Sequence, residues 1–142
     1  MKRILLALAI ASASLVTLNS CTKEYITNYL PGVSYPVEIK TNTWTQISAG
    51  SNIYSTTLPF PELDQQYYNS GTVQVALQLS DDQGYFDSYN AIPATINGIH
   101  YSFEYFVGEV VVYAEIQTND ATLDIDYPMK AKVTLTDADA GN

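Results

Sequence analysis

His100 is the only imidazole that this 142-residue chain offers for acid–base chemistry near neutral pH. A serine or cysteine nucleophile needs such a base beside it and a third group that holds the base in place. The sequence contains no Gly-x-Ser-x-Gly elbow that would present a nucleophile. With one His and one Cys, it also lacks the several ligands of a zinc site. We therefore predict no catalytic residue and a protein that is not an enzyme.

Paired carboxylates are the remaining route to catalysis, since two acids about 5 to 10 Å apart can hydrolyse a glycoside. Asp124 and Asp126 fall on one side of an extended segment, and so do Asp137 and Asp139. However, a chain with fifteen acidic residues produces such pairs by chance. No pair has a sequence context that would bury one acid and raise its pKa. The pairs therefore leave the noncatalytic prediction unchanged.

Calcium binding is more compatible with this composition, because Ca²⁺ takes about six to eight oxygen ligands from carboxylates, carbonyls and waters. The candidate metal ligands are Asp120, Asp124 and Asp126, with Asn119 beside them. A second acidic loop spans residues 81–87. Neither stretch has the spacing of a known calcium loop. Calcium is therefore kept as an alternative, and no other cofactor is predicted.

Aromatic side chains give the most suggestive binding signal. Twelve tyrosines, four phenylalanines and one tryptophan all follow residue 21. Five of them stand in a polar, loop-like context and are the candidate ligand-binding residues: Tyr67, Tyr68, Tyr85, Phe86 and Tyr89. A tyrosine presents a flat apolar face with a polar tip, which suits recognition of a protein or a sugar. The alternative is that these residues simply occupy half-buried strand positions, which tyrosine also favours.

The elements that must position these residues are strands, because from Tyr35 onward the apolar positions recur mainly with period two. In 72–80 the alternate residues Val73, Val75, Leu77 and Leu79 are apolar and their neighbours are mostly polar. The segment 130–136 repeats this pattern. Such alternation predicts a sheet with one buried face and one solvated face.

The remaining segments predict further short strands and one helix. Asn97 and Gly98 suit a tight hairpin turn between 94–97 and 99–107. Other strands are expected at 35–40, 43–48, 52–57 and 109–117, with a weaker one at 85–90. Residues 61–70 suit two helical turns, with Gly71 as a stop, that cross between two sheets. We therefore predict an all-β fold, a single antiparallel β-sandwich of about eight short strands with one short helix, and keep a small β-barrel as the alternative.

The first twenty residues have the layout of a secretory signal peptide. Lys2 and Arg3 give a positive start, and Ile4 to Leu18 is an apolar run of 15 residues. A helix needs roughly 18 to 20 residues to cross the hydrocarbon core of a membrane. A cleaved leader is therefore a better interpretation than a permanent membrane span.

The end of this run, Leu18-Asn19-Ser20-Cys21, resembles the lipobox of bacterial lipoproteins, although asparagine is a less usual occupant of its position. The resemblance implies that the Cys21 thiol carries a diacylglycerol group, that cleavage follows Ser20 and that the new amino group is acylated. Two or three acyl chains hold a protein on a bilayer durably, whereas one does not. Residues 1–20 are thus expected to be the signal peptide and Cys21 the lipid anchor.

Charge then restricts the partners of the processed chain. Removal of Lys2 and Arg3 leaves four lysines against fifteen acids, which gives a formal charge of −11 for residues 21–142. This surface would repel phosphates, so nucleic acid is excluded as a partner. Anionic lipid headgroups would repel it too, so we expect a folded domain, 35–138, to stand off the membrane on a tether, 21–34, and to end in a tail, 139–142.

The processed sequence also resembles small surface lipoproteins of Bacteroidetes. The Lys23-Glu24 pair after Cys21 is similar to an export signal of that group. The matching pieces in the folded part are Trp44, 63–71, 73–79, 92–95, 101–105 and 107–112. Because these pieces are packing features, the resemblance implies a β-sandwich and placement at the outer membrane or cell surface, and no activity. The sequence therefore predicts a lipid-anchored, noncatalytic envelope protein. Its β-sandwich would be presented to a protein or glycan or would have a structural role. The alternative is a carbohydrate-binding accessory protein that uses calcium or an aromatic platform.

Overall fold

The computed structural model describes residues 32–81, 86, 88–119 and 128–137. Its elements are β1 (Val33–Ile39), β2 (Thr45–Gln46), β3 (Ile53–Pro59), α1 (Gln65–Ser70), β4 (Gly71–Gln78), β5 (Asn90–Ile92), β6 (Ala94–Ile96), β7 (Ile99–Phe106), β8 (Glu109–Ile116) and β9 (Met129–Asp137). The first sheet has the order β1-β9-β4-β5, and the second has the order β2-β3-β8-β7-β6. All pairings are antiparallel. The predicted all-β sandwich is confirmed.

The core lies between the two sheets and is filled by the alternating apolar residues of their strands. The inward residues of β4, β8 and β9 are almost fully buried, as predicted from their period of two: Val73, Val75, Leu77, Val110, Val112, Ala114, Ala131, Val133 and Leu135. The polar neighbours on the same strands face solvent. Because no cysteine lies in the described residues, this apolar burial is the main source of stability in that part of the chain.

The Asn97-Gly98 hairpin is also confirmed. Both residues adopt positive φ, 50° for Asn97 and 78° for Gly98, and they join β6 to β7. A second tight turn, at Val107 and Gly108, joins β7 to β8, with φ 84° at Gly108. Glycine is needed there because other side chains rarely adopt this backbone conformation.

The crossover from the second sheet to the first contains α1, as expected, but the helix begins at Gln65 and not at Pro61. The reason is Asp64, whose carboxylate accepts hydrogen bonds from the backbone N–H groups of Gln66 (2.9 Å) and Tyr67 (3.0 Å). Gly71 ends the helix and opens β4. A Cβ at that position would lie 2.8 Å from the Tyr67 carbonyl oxygen, so the close approach requires glycine.

Several strand bounds differ from those predicted. β1 begins two residues earlier, at Val33, because Val33 and Ser34 pair with β9. The segment 43–48 forms only the two-residue β2, preceded by a 3₁₀ turn at Thr41–Thr43. In the weaker segment 85–90, the described residues show an isolated bridge between Ser80 and Phe86, and then β5. The described part of the chain thus has nine strands instead of about eight.

The predicted leader, the lipid-anchor residue Cys21, most of the tether and the tail lie outside the described residues. Within the ranges that the structure does describe, no helix has the length and apolar character needed to span a membrane.

Candidate binding site

The second half of β7 has a strand neighbour on one side only. On the β6 side, the last paired residues are Ala94 and Tyr101. Beyond this point the chain leaves the second sheet through Pro93 and enters β5 of the first sheet. On the other side, β8 pairs with β7 along its whole length, as far as Phe106. Among the described residues, β7 therefore has an open edge from Ser102 to Phe106.

The backbone groups of β7 that face this open edge can be identified from the residues of β7 that hydrogen-bond to β8. The Gln117 N–H donates to the Gly98 carbonyl oxygen at 3.0 Å, which orients Gly98 toward β8. Alternate residues of an antiparallel strand direct their N–H and C=O to the same neighbour. The backbone groups of Ser102 and Glu104 thus face β8, whereas those of Phe103 and Tyr105 face the open edge. Each of these two residues presents one donor and one acceptor there.

Aromatic side chains surround these backbone groups. Phe103 and Tyr105 lie on the inner face of β7, like the buried Tyr101, but they are only half-buried. Their rings stack with centroids 6.5 Å apart, and Tyr68 of α1 meets Tyr105 edge-on at 6.0 Å. Phe106 (46% exposed) lies at the end of the strand on the outer face with Glu104, and Val107 (48% exposed) lies in the following turn. We call these five residues, Tyr68, Phe103, Tyr105, Phe106 and Val107, the β7 edge patch.

A depression of about 460 Å³ opens at this patch and is lined by Phe103, Glu104, Tyr105 and Phe106. The Glu104 carboxylate lies on the outer face of the sheet, where the Tyr113 hydroxyl donates a hydrogen bond to its Oε2 at 3.1 Å. Partial burial raises the pKa of Tyr113, and the hydrogen bond and negative charge of Glu104 raise this pKa further. The site thus combines an exposed carboxylate with aromatic rings.

No cationic side chain of the second sheet neutralises this carboxylate. The five strands of that sheet contain Glu104, Glu109 and Glu115 but neither Lys nor Arg. The two lysines of the described strands, Lys130 and Lys132, belong to β9 of the first sheet. The exposed face around the β7 edge is therefore acidic.

Five aromatic residues were singled out from the sequence, and the four that the structure describes do not form one platform. Tyr67 is 9% exposed and belongs to the core, whereas its neighbour Tyr68 lies in the β7 edge patch with 42% exposure. Phe86 and Tyr89 lie at the first sheet, where the Nζ atoms of Lys130 and Lys132 sit 3.8 and 4.3 Å from the respective ring centroids. Tyr85 lies outside the described residues. Only Tyr68 therefore lies in the β7 edge patch.

The other candidate residues do not come together in the described part of the chain. His100 lies on the outer face of β7 opposite Glu115, and its Nδ1 is 3.2 Å from the Thr95 hydroxyl. Asp120, Asp124 and Asp126, the predicted calcium ligands, lie outside the described residues. Within the described ranges, no three His, Cys, Asp or Glu side chains come close enough together to hold a metal ion.

Sequence reasoning missed four of the five patch residues and Glu104, since it treated 99–107 only as a strand. A usable signal was present in the predicted strand lengths. The segment after the Asn97-Gly98 turn, 99–107, is about twice as long as the segment before it, 94–97. A long strand paired with a short one must extend beyond it. The observed lengths are eight residues for β7 and three for β6.

No known protein family, curated protein or solved structure matches the chain. The interpretation of the β7 edge patch therefore depends on its own chemistry. Unpaired backbone donors and acceptors, aromatic faces and one carboxylate are groups that bind a ligand. They do not include a nucleophile with an adjacent base.

Proposed function

We propose that the protein is a noncatalytic lipoprotein of the bacterial cell envelope that binds a protein partner through the β7 edge patch. Acylated Cys21 would anchor it in the membrane, and the β-sandwich would present the patch. The lipobox-like sequence 18–21 and the apolar run before it support the anchor. The outer membrane or cell surface is the proposed location, on the basis of the Lys23-Glu24 pair.

The observation that carries the binding role is the exposure of aromatic rings directly beside the backbone groups of Phe103 and Tyr105, which have no strand partner among the described residues. An exposed, apolar strand edge is a template for pairing with another chain, and soluble proteins usually protect such edges with lysine, proline or a covering loop. The segment Ser102 to Phe106 contains neither lysine nor proline, and Glu104 is its single charged residue. Large exposed apolar residues next to each other also typify interaction sites.

A second candidate function is carbohydrate binding on an aromatic platform, and the exposed ring of Tyr68 beside Tyr105 favours it. Sugars stack on aromatic faces of this kind. The unpaired backbone groups of β7 have no particular role in sugar stacking, whereas they match the needs of a peptide. Protein binding is therefore the leading proposal.

The test of the proposed function compares two variants of the full chain, purified in detergent. The double variant Tyr68→Ala/Phe106→Ala removes two exposed rings of the patch, and Tyr89→Ala removes an exposed ring at the first sheet. Each protein is cross-linked in an envelope extract and applied to a glycan array. A protein partner that is lost with the patch variant and retained with Tyr89→Ala supports the proposal, and a glycan with the same behaviour supports the second candidate function. Identical binding by both variants would contradict it.

The anchor is tested separately by mass spectrometry of the product isolated from cells. The expected mass corresponds to a chain that begins at Cys21 and carries acyl groups. A Cys21→Ser variant should remain an unlipidated precursor. Recovery of a chain with an intact Met1 and a free thiol would refute the anchor and leave the binding test unaffected.

A further inference from the structure

We infer that the β7 edge binds an extended segment of a partner protein as a sixth, antiparallel strand of the second sheet, with a lysine or arginine of that segment opposite Glu104. This inference rests on the proposed function and specifies the chemistry of the partner. It draws on three features of the site: the direction of the backbone groups, the faces on which the side chains lie and the distribution of charge.

The backbone groups fix the position of the added strand. β6 already occupies the same edge of β7 in antiparallel orientation, as far as Tyr101. An added strand in line with β6 would place two of its residues opposite Phe103 and Tyr105. These two residues would each exchange a pair of N–H···O=C hydrogen bonds with β7. The residue between them would lie opposite Glu104, and its own backbone groups would point away from β7.

The side-chain faces then fix the pattern of the segment. Residues directly opposite each other in an antiparallel pair share a face of the sheet and interact. The two residues of the segment that lie opposite Phe103 and Tyr105 would therefore share the inner face with these side chains and with Tyr68, where apolar side chains fit. The central residue would lie beside Glu104 on the outer face. The pattern is apolar, central residue, apolar.

Charge identifies the central residue. Glu104 is exposed, and the five strands of its sheet contain no Lys or Arg. Opposite charges placed directly across two strands stabilise the pair, whereas like charges destabilise it. A basic residue thus complements the site.

Charge repulsion disfavours a second copy of this chain as the occupant of the β7 edge. Antiparallel pairing of two β7 edges, with Phe103 of one copy opposite Tyr105 of the other, would place the two Glu104 carboxylates directly opposite each other. The net charge of the whole chain, −9, would add to this repulsion. A basic segment of a different protein is therefore the occupant that the charges favour.

The experiment uses the full chain in detergent and a synthetic peptide, Ser-Thr-Val-Lys-Val-Thr-Ser, acetylated and amidated at its ends. Binding is measured by isothermal titration calorimetry. Two backbone-methylated peptides provide the matched comparison. N-methylation of both valines removes the two N–H groups that would donate to β7, and we expect an affinity loss of about tenfold or more, since two hydrogen bonds are lost. N-methylation of the lysine should have little effect, because its N–H would point away.

Charge reversal tests the register. The wild-type chain should bind the lysine peptide about fivefold more tightly than the same peptide with glutamate at the centre, in line with the energies of cross-strand charge pairs. The variant Glu104→Lys should reverse this preference. Glu115→Lys is the matched control, because it changes the same charge on the same face about 13 Å away along the sheet, at about 3.3 Å per residue. This control should retain the wild-type preference.

The outcomes separate the inference from the proposed function. Equal binding of all peptides, or no binding of any, would overturn strand addition. If a glycan then bound and was lost with Tyr68→Ala/Phe106→Ala, the inference would fail while a noncatalytic binding role would stand. A dimer of the free wild-type chain in sedimentation, dissociated by Tyr68→Ala/Phe106→Ala but not by Tyr89→Ala, would also overturn the inference in favour of a second copy. Peptide binding with the expected methylation and charge dependence would support both.

Discussion

Two sets of exposed aromatic residues in the protein differ in what the rest of the chain supplies to them. At the first sheet, Phe86 and Tyr89 each have a lysine of β9 over the ring. At the second sheet, the five described strands supply no Lys or Arg to the β7 edge patch, and within the described part of the chain no strand pairs with the outward backbone groups of Phe103 and Tyr105. An aromatic residue in a polar sequence context is therefore an ambiguous signal. A binding surface is distinguished by exposed rings and backbone groups for which the fold itself supplies no partner.

The same contrast occurs within β7. Its first half is covered by β6 on one side and by the first sheet on its inner face, so Ile99 and Tyr101 are buried. Its second half extends past β6, and Phe103 and Tyr105 on the same face are half-buried. The strand thus serves the core at one end and an exposed surface at the other.

The largest expected effect concerns this contrast in β7. Tyr101→Ala should lower the free energy of unfolding by about 3 to 5 kcal/mol, because a fully buried aromatic ring is replaced by a cavity. Tyr105→Ala should cost less than half as much, since its ring is partly hydrated in the folded state. Urea denaturation of both variants measures the difference. Equal losses would mean that the open half of β7 is as well covered as the other half.

A smaller effect is expected at the helix that carries Tyr68. Asp64→Ala removes the side chain that accepts hydrogen bonds from Gln66 and Tyr67, and it should lower the free energy of unfolding by about 1 kcal/mol. The control is Glu62→Ala, which removes an exposed acid near the same helix but outside the cap. Thermal or urea denaturation should separate the two variants. If both had the same small effect, α1 would not depend on its cap.

The pairing of lysine with an aromatic ring at the first sheet should contribute less still. A double-mutant cycle with Lys132→Met and Tyr89→Leu should give a coupling energy of about 0.5 kcal/mol, as for exposed cation–π pairs. The cycle is read from urea denaturation of the two single variants and the double variant. Zero coupling would show that Lys132 does not stabilise the ring of Tyr89.

The smallest effect is a dependence of stability on alkaline pH. Folding raises the pKa of Tyr113 above its ordinary value of 10.0, so the folded state favours the protonated phenol. The corresponding stabilisation is complete below pH 10 and is lost as the pH rises through the higher pKa of the folded state. Tyr113→Phe should therefore lose less stability than the wild type between pH 9 and 11. Parallel pH profiles of unfolding would disprove a pKa of Tyr113 raised by burial and by Glu104.

Much of the fold could be predicted from local pattern. The period of two in β4, β8 and β9 identified the buried face, and Asn97-Gly98 identified a hairpin, because both signals depend only on residues close in sequence. The early start of β1 could not be found in this way. It depends on pairing with β9, as in the 2.8 Å hydrogen bond between the Ser34 and Thr134 hydroxyls, which are 100 residues apart.

The site was harder to predict for the same reason. A pattern shows which face of a strand is buried, but it does not show where a neighbouring strand ends. Tyr67 and Tyr68 are adjacent tyrosines in the same polar context, yet Tyr67 is buried in the core and Tyr68 is exposed in the β7 edge patch. The lipid anchor at Cys21 and the calcium ligands Asp120, Asp124 and Asp126 lie outside the described residues and stay predictions.

Amide hydrogen exchange along β7, resolved by NMR, reports directly whether the edge at Phe103 and Tyr105 is open in the free protein. We predict an alternating pattern in the free protein: the amides of Ser102 and Glu104, which face β8, exchange slowly, and those of Phe103 and Tyr105 exchange rapidly. Addition of the lysine peptide should slow the exchange of Phe103 and Tyr105. If these two amides were already as protected as that of Glu104 without any peptide, the edge would be occupied in the free protein and the account would be contradicted.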